Sequence, residues 1–136
     1  MALEGRCLCG QVSYKSSSAP LATAICHCRN CQRQAGTAFS VVIVVPSESV
    51  TVAGTLKTFD DRGDSGGTVH RQFCPECGSP IFSLIPTMPG ITIIKAGTLD
   101  DPSILEPQMQ VWCQSAQPWI RLNPDLPQFA QAAPAA

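Results

Sequence analysis

The chain has 136 residues, 44% of them hydrophobic, so it can bury the core of one domain without disulfide bonds. Nine Lys and Arg residues against ten Asp and Glu residues leave a formal net charge of −1. This argues against a nucleic-acid partner, because duplex binding calls for a basic surplus.

The N-terminal segment and the longest apolar run indicate the cellular location of the protein. The first ten residues, MALEGRCLCG, include Glu4 and no apolar run, so we expect no secretory signal and a cytoplasmic location. Residues 38–45 are far short of the roughly 18 apolar residues that span a bilayer, so we expect no membrane association. In a reducing compartment the eight cysteines are not expected to pair as disulfides, and clustered cysteines indicate metal.

Taken in chain order, the predicted elements are mostly short strands. Gln11–Lys15 alternates polar and apolar residues, and Phe39–Val45 is an apolar run typical of a strand covered on both faces. One short helix is predicted at Asn30–Ala35, with Gly36 as its C-terminal cap. Further strands are predicted at 50–52, 56–59, 69–73, 81–84, 91–95 and 109–113. We therefore expect a mainly β fold with little helix.

Turn residues separate these strands, and no internal boundary divides the chain. Connections are predicted at Gly54 and at residues 62–67, 89–90 and 100–102. Residues 128–136 are rich in Ala and Pro and are predicted to form a loose tail. The expected organisation is one domain over residues 1–127 followed by that tail.

Seven of the eight cysteines fall into three tight groups: Cys7 and Cys9; Cys26, Cys28 and Cys31; and Cys74 and Cys77. Zinc prefers four tetrahedral ligands, and cysteines two or three positions apart on a tight turn can reach one ion together. One pairing joins the first and last groups into a four-sulfur site and leaves three sulfurs for a second, open site. The other pairing is a zinc ribbon made by Cys28, Cys31, Cys74 and Cys77. Spacing leaves both open.

The motifs around these cysteines resemble a known family. Gly5–Gly10 (GRCLCG), Cys26–Cys31 (CHCRNC) and Phe73–Ser79 (FCPECGS) are similar to the glutathione-dependent formaldehyde-activating enzymes and their centromere protein V-like relatives. The similarity continues through residues 34–39, 97–102 and 118–119. One departure is Gln110, at a position where many members carry a His.

The resemblance implies a β-tent fold of two small antiparallel sheets with zinc knuckles. It also implies two Zn²⁺ ions: a structural one on Cys7, Cys9, Cys74 and Cys77, and a catalytic one on Cys26, Cys28 and Cys31. The family's named activity joins formaldehyde to the thiol of glutathione and forms S-(hydroxymethyl)glutathione.

We therefore predict a zinc-dependent carbon–sulfur lyase that acts on an adduct of glutathione or another small thiol. The alternatives are a non-enzymatic zinc module that binds a partner, and a thiolate redox or zinc sensor. No proton-transfer residue is assigned, and the ring of His27 is expected to turn away from the metal. Five arginines could meet the carboxylates of glutathione, with Arg29 and Arg33 nearest the reactive cysteines: Arg6, Arg29, Arg33, Arg62 and Arg71. Cys113 is expected to be a buried or half-buried thiol on the last strand.

Overall fold

A computed structural model describes residues 2–134 and shows a mainly β protein with one α-helix in that range. The helix, α1, spans Arg29–Ala35. The strands are β1 (Leu3–Arg6), β2 (Ser13–Ser16), β3 (Ala22–Cys26), β4 (Ser40–Pro46), β5 (Val50–Ala53), β6 (Lys57–Arg62), β7 (Thr68–Phe73), β8 (Pro80–Leu84), β9 (Ile91–Lys95) and β10 (Met109–Val111).

The strands form two sheets, as the predicted fold class requires. One has three strands in the order β1-β2-β5, and the other has seven in the order β10-β3-β4-β9-β8-β7-β6. The pairs of strands are antiparallel, as predicted, except for β10 with β3, which run parallel at the edge of the larger sheet. The strand β10 joins the edge after a long excursion from β9, and such a crossover permits parallel pairing.

The core lies between the two sheets. On the seven-stranded sheet Ile43 pairs with Ile94, which pairs with Phe82, and all three are at most 2% exposed. They pack in one cluster with Leu3 and Tyr14 of the three-stranded sheet. Because side chains alternate along a strand, the opposite face of the large sheet carries a different set of residues. That second face, covered by α1, holds the candidate reactive site.

The helix ends where the sequence predicts and begins one residue earlier, at Arg29. The sulfur of Cys28 caps its start by accepting a hydrogen bond from the amide of Cys31 at 3.1 Å. Gly36 ends it in the left-handed region, with φ 69°, and donates its amide to the carbonyl of Gln32 at 2.9 Å. The predicted helix and its glycine cap are confirmed.

The eight predicted strands are present, with some shifted ends, while β1 and β3 escaped prediction because Leu3–Arg6 and Ala22–Cys26 carry no clear β pattern. The last strand ends at Val111 and not at Cys113. Trp112 has a positive φ of 55°, and a 3-10 turn over Cys113–Ser115 follows. The placement of Cys113 on a strand is therefore wrong.

The start of the predicted tail is attached to the sheet. Gln128 forms a bridge with Gln110, and the amides of Trp112 and Cys113 donate to the carbonyls of Gln131 and Phe129. Residues 128–131 thus continue the edge beside β10, because this edge offers unpaired backbone groups. The last two tail residues, 135 and 136, lie outside the described residues. No helix within residues 2–134 has the length and hydropathy that crossing a membrane requires.

Candidate metal centres

A four-cysteine cluster connects a turn of the three-stranded sheet to a turn of the seven-stranded sheet. Cys7 and Cys9 lie at the β1–β2 turn, and Cys74 and Cys77 lie at the β7–β8 turn, with all four sulfurs within 4.8 Å of one another. The Sγ atoms of Cys7 and Cys9 are 3.7 Å apart, and those of Cys9 and Cys74 are 3.8 Å apart. A tetrahedron with Zn–S bonds of about 2.3 Å has edges of about 3.8 Å, so this cluster fits a zinc ion.

Hydrogen-bond donors point at these sulfurs. The amide of Val12 donates to Cys7 Sγ at 3.3 Å, and the side-chain amide of Gln11 donates to Cys74 Sγ at 3.2 Å. The Ser79 hydroxyl lies 3.2 Å from Cys77 Sγ, and its hydrogen bond lowers the pKa of Cys77 to about 5. Sulfurs that accept hydrogen bonds are favoured as thiolates, which is the form that binds metal.

The second cluster contains three cysteines and is buried. Cys26 ends β3, Cys28 caps α1 and Cys31 lies in its first turn; each is at most 8% exposed and the sulfurs lie within 4.8 Å of one another. The zinc-ribbon pairing is not formed, because the cysteines it would combine lie in different clusters. Cys113 and His27 belong to neither cluster.

Two buried cations accompany the three-cysteine cluster. The guanidinium of Arg71 is 3.9 Å from Cys31 Sγ, and it also donates to the carboxylate of Asp61 at 2.8 Å and to Gln34 at 3.0 Å. Hydrogen bonds from Cys26 and Cys28, followed by the charges of Lys95 and Arg71, hold the pKa of the Cys31 thiol far below its usual range. The two cations therefore favour the thiolate form of Cys31.

Gln32 ties the loop of the cluster to the C-terminal part of the chain. Its side-chain amide is 4% exposed and donates to the carbonyls of His27 at 2.6 Å and Ser115 at 3.0 Å. Its oxygen accepts from Gln117 at 2.9 Å and from the guanidinium of Arg29. All four hydrogen-bonding positions of this amide are used, so Gln32 fixes the backbone that presents Cys26, Cys28 and Cys31.

His27 lies between two of the cysteines but bonds elsewhere. It is 1% exposed, and its Nε2 is 2.8 Å from Oε1 of Gln110, whose amide nitrogen donates to the carbonyl of Asn123. This arrangement assigns the proton of a neutral ring to Nε2. Gln110 thus holds His27 in place. Trp112 packs against the cluster on the same side.

A cavity of about 500 Å³ lies between α1, β6, β7 and the segment after Cys77. Its lining includes the exposed Arg33, the half-buried Asn30, the exposed ring of Phe59, and Arg71, which also contacts Cys31. Arg71 therefore connects the cavity to the three-cysteine cluster, and the cavity offers an exposed guanidinium and apolar surface.

The candidate arginines take different positions. Arg33 lines the cavity, Arg71 is buried against Asp61, and the side chain of Arg6 lies 3.8 Å from the carboxylate of Asp100. Sequence reasoning missed Lys95 and Gln32. A lysine inside the apolar run Ile91–Lys95 was the signal that could have identified the first; nothing in the sequence distinguishes Gln32 from the other glutamines.

Comparison with known proteins agrees with this arrangement. The model of the family "Glutathione-dependent formaldehyde-activating enzyme" matches residues 2–115. Proteins of Aspergillus flavus and Aspergillus oryzae, provisionally named as enzymes of that kind, are each 33% identical over 109 residues, covering 75% of this chain and 56% of the relative. A similarly named protein of Talaromyces marneffei is 30% identical over 93 residues, 66% of this chain and 49% of its own.

The chain spans about half the length of the curated relatives it matches. A Rhodobacter sphaeroides protein of known crystal structure has the same fold, with a TM-score of 0.59 at 15% identity over 93% of this chain and 99% of that one. Because the family model covers most of the chain, including all seven clustered cysteines, this protein belongs to the glutathione-dependent formaldehyde-activating enzyme family.

Proposed function

We propose that this protein is a zinc-dependent enzyme that makes or breaks a carbon–sulfur bond in an adduct of glutathione or another small thiol. The observation that supports this most is the inequality of the two clusters. Four cysteine sulfurs complete a tetrahedral zinc site, whereas three leave one position for a substrate atom. The first arrangement is typical of a structural site and the second of a reactive one.

In this proposal Cys7, Cys9, Cys74 and Cys77 bind the structural zinc, and Cys26, Cys28 and Cys31 bind the reactive one. A zinc ion bound by the latter would supply a Lewis acid that stabilises a substrate thiolate or polarises an aldehyde oxygen. Three thiolates exceed the charge of Zn²⁺ by one unit, which weakens its Lewis acidity relative to a three-histidine site. The cluster is thus better suited to presenting a thiolate than to generating hydroxide.

The chemistry requires no oxidant or reductant. When a thiol adds to formaldehyde, the sulfur forms a bond to the carbonyl carbon, and the electrons of the C=O π bond move to oxygen. The proton lost by the thiol ends on that oxygen, and the reverse reaction returns it. The protein therefore has to orient two small molecules and stabilise the thiolate. Holding the two reactants in the correct geometry accelerates such an addition.

The cavity beside the cluster provides room for the rest of the thiol compound. The exposed guanidinium of Arg33 suits a carboxylate, since the guanidinium fork matches carboxylate geometry. Asn30 lines the same cavity, although its amide already donates to Asp61 and to the carbonyl of Arg62. A small peptide such as glutathione would thus place its carboxylates on the cavity side and its sulfur toward Cys31.

The test measures zinc content and adduct formation in one preparation. We expect two zinc equivalents per chain, and a faster appearance of the S-hydroxymethyl signal of glutathione in the NMR spectrum with ¹³C-formaldehyde than in buffer. The variant Cys28→Ser should bind one equivalent and lose the acceleration. An adduct that forms at the same rate with and without protein would exclude formaldehyde addition. Two zinc ions released equally fast by a chelator would argue against one closed and one open site.

A further inference from the structure

The two cysteine clusters differ in the charges buried beside them. Among residues 2–134, the only formally charged side chains that are buried are Arg71, 5% exposed, and Lys95, 6% exposed. Both lower the pKa of Cys31 in the three-cysteine cluster, and the guanidinium of Arg71 lies 3.9 Å from its sulfur. The reactive cluster is therefore embedded in a positive environment that its structural counterpart lacks.

Strand register places Lys95 on the face of the sheet that carries this cluster. Cys26 is opposite Ser40 in the β3–β4 pair, and Val42 is opposite Lys95 in the β4–β9 pair. Because Ser40 and Val42 are two residues apart on one strand, these four side chains share a face. The ammonium of Lys95 then reaches diagonally to Ser40 Oγ at 3.3 Å, next to Cys26.

Arg71 and Lys95 have different counter-charges. Arg71 makes a salt bridge with Asp61 at 2.8 Å, so its charge is already balanced by a carboxylate. Lys95 has no carboxylate within 4.0 Å among residues 2–134, and the hydrogen-bond partner found for its ammonium there is the neutral hydroxyl of Ser40. A buried ammonium without an anion is strongly destabilising.

The anions that face Lys95 are the cysteine sulfurs. Burial lowers the pKa of Lys95, and the negative charge of Cys31 opposes that shift. The positive charge of Arg71 adds to the lowering, and smaller contributions from Cys26 and Cys28 oppose it. Three thiolates around a divalent ion carry a net charge of −1, and one ammonium brings the total to zero. This stoichiometry explains why a lysine is tolerated in a position that is otherwise suited to an apolar side chain.

We propose that Lys95 is the counter-charge of the three-cysteine cluster, a positioning residue whose ammonium raises the affinity of Cys26, Cys28 and Cys31 for a divalent metal. The inference rests on the proposed function in one respect, namely that this cluster binds metal. Lys95 would act through the cysteine ligands, without touching the substrate. The metal affinity should therefore depend more on the charge of this side chain than on its shape.

The test is zinc competition with a chromogenic chelator on the full chain, comparing wild type, Lys95→Met, Lys95→Arg and Ser40→Ala. Charge-compensating neighbours of ligands typically contribute about 10–100-fold to metal affinity, so Lys95→Met should weaken the three-cysteine site by that factor. The four-cysteine site in the same molecule is the internal reference and should not change. Its affinity is assigned with Cys28→Ser, which retains that site alone.

The two further variants separate charge from packing. Lys95→Arg retains the charge and should recover most of the lost affinity. Ser40→Ala removes the hydrogen bond of Lys95 but leaves its charge, so it should reduce the affinity by less than Lys95→Met does. Equal affinity of wild type and Lys95→Met, or a Lys95→Arg protein as weak as Lys95→Met, would overturn the role of Lys95 while leaving the proposed function intact. A wild-type chain that binds one zinc ion at all concentrations would overturn both.

Discussion

Replacing Gln32 with leucine tests whether its buried amide organises the loop of the three-cysteine cluster. Leucine has a similar volume and helix propensity, so α1 itself should be little affected. The change removes the donors to the carbonyls of His27 and Ser115. It also removes the acceptor for Gln117 and for the exposed Arg29. The effect therefore measures the hydrogen bonds of one side chain.

The expected magnitude follows from the burial of those partners. The bond to His27 is buried, and leaving its carbonyl unpaired costs about 1–3 kcal/mol. The bonds to Ser115 and Gln117 are partly buried, so water recovers some of their loss and together they add about 1 kcal/mol. We expect Gln32→Leu to lower the free energy of unfolding by about 2–4 kcal/mol. Because the same bonds orient the cysteine loop, zinc affinity at the three-cysteine cluster should fall about 10–100-fold.

Urea unfolding followed by far-ultraviolet circular dichroism, at constant free zinc, measures the first quantity, and chelator competition measures the second. Gln72→Leu is the matched control, because the side chain of Gln72 makes one exposed hydrogen bond of 3.5 Å, to Thr58. That variant should change the free energy of unfolding by less than about 0.5 kcal/mol. If Gln32→Leu is as stable as Gln72→Leu and binds two zinc ions as tightly, the organising role of Gln32 is wrong.

Three further predictions concern the two cysteine clusters, a close contact and a buried phenol. Cys28→Ser should remove one zinc equivalent and leave a folded protein. Cys74→Ser should abolish cooperative unfolding, because the four-cysteine cluster to which Cys74 belongs links distant parts of the fold. Circular dichroism and zinc content distinguish the two variants. Gly5→Ala should lower the free energy of unfolding by about 1–3 kcal/mol in urea, since the added Cβ would overlap the hydroxyl of Tyr14. Gly97→Ala is the control, because there is open space around Gly97, and it should leave the free energy of unfolding unchanged. Burial raises the pKa of Tyr14 to about 12, above the value of about 10 in the unfolded chain. The neutral phenol therefore stabilises the fold below about pH 10 and loses that effect as the pH rises through about 12. Tyrosinate absorbance reports this titration directly, because Tyr14 is the sole tyrosine. A titration midpoint near 10 in the folded protein would contradict the raised pKa of Tyr14.

The helix and most strands could be predicted because their signals are local. Gly36 ends α1 where a left-handed residue is required, and Ile91–Lys95 forms a strand with the predicted ends. The exceptions have identifiable causes. The edge at β10 is made parallel by a long crossover, and residues 128–131 are held by backbone groups of that edge, which composition does not reveal.

The cysteine groups show the same division. Spacing indicates which cysteines can share a metal with a near neighbour, because a tight turn brings residues two or three positions apart together. It does not indicate which groups combine, since Cys9 and Cys74 are 65 residues apart in the chain. That choice depends on how the β1–β2 and β7–β8 turns approach each other across the packed sheets.

Most of the short β-strands, the capped helix, the three cysteine groups and the family resemblance follow from the sequence, because each depends on neighbouring residues. The tertiary structure is needed to show that the clusters contain four and three cysteines, that Lys95 shares a sheet face with Cys26 of the smaller one, and that Gln32 and Gln110 support its loop. The alternation of side chains along a strand predicts which residues share a face, but it does not predict which elements pack against that face. Strand register and sheet packing supply that information, and both are set by contacts between distant parts of the chain.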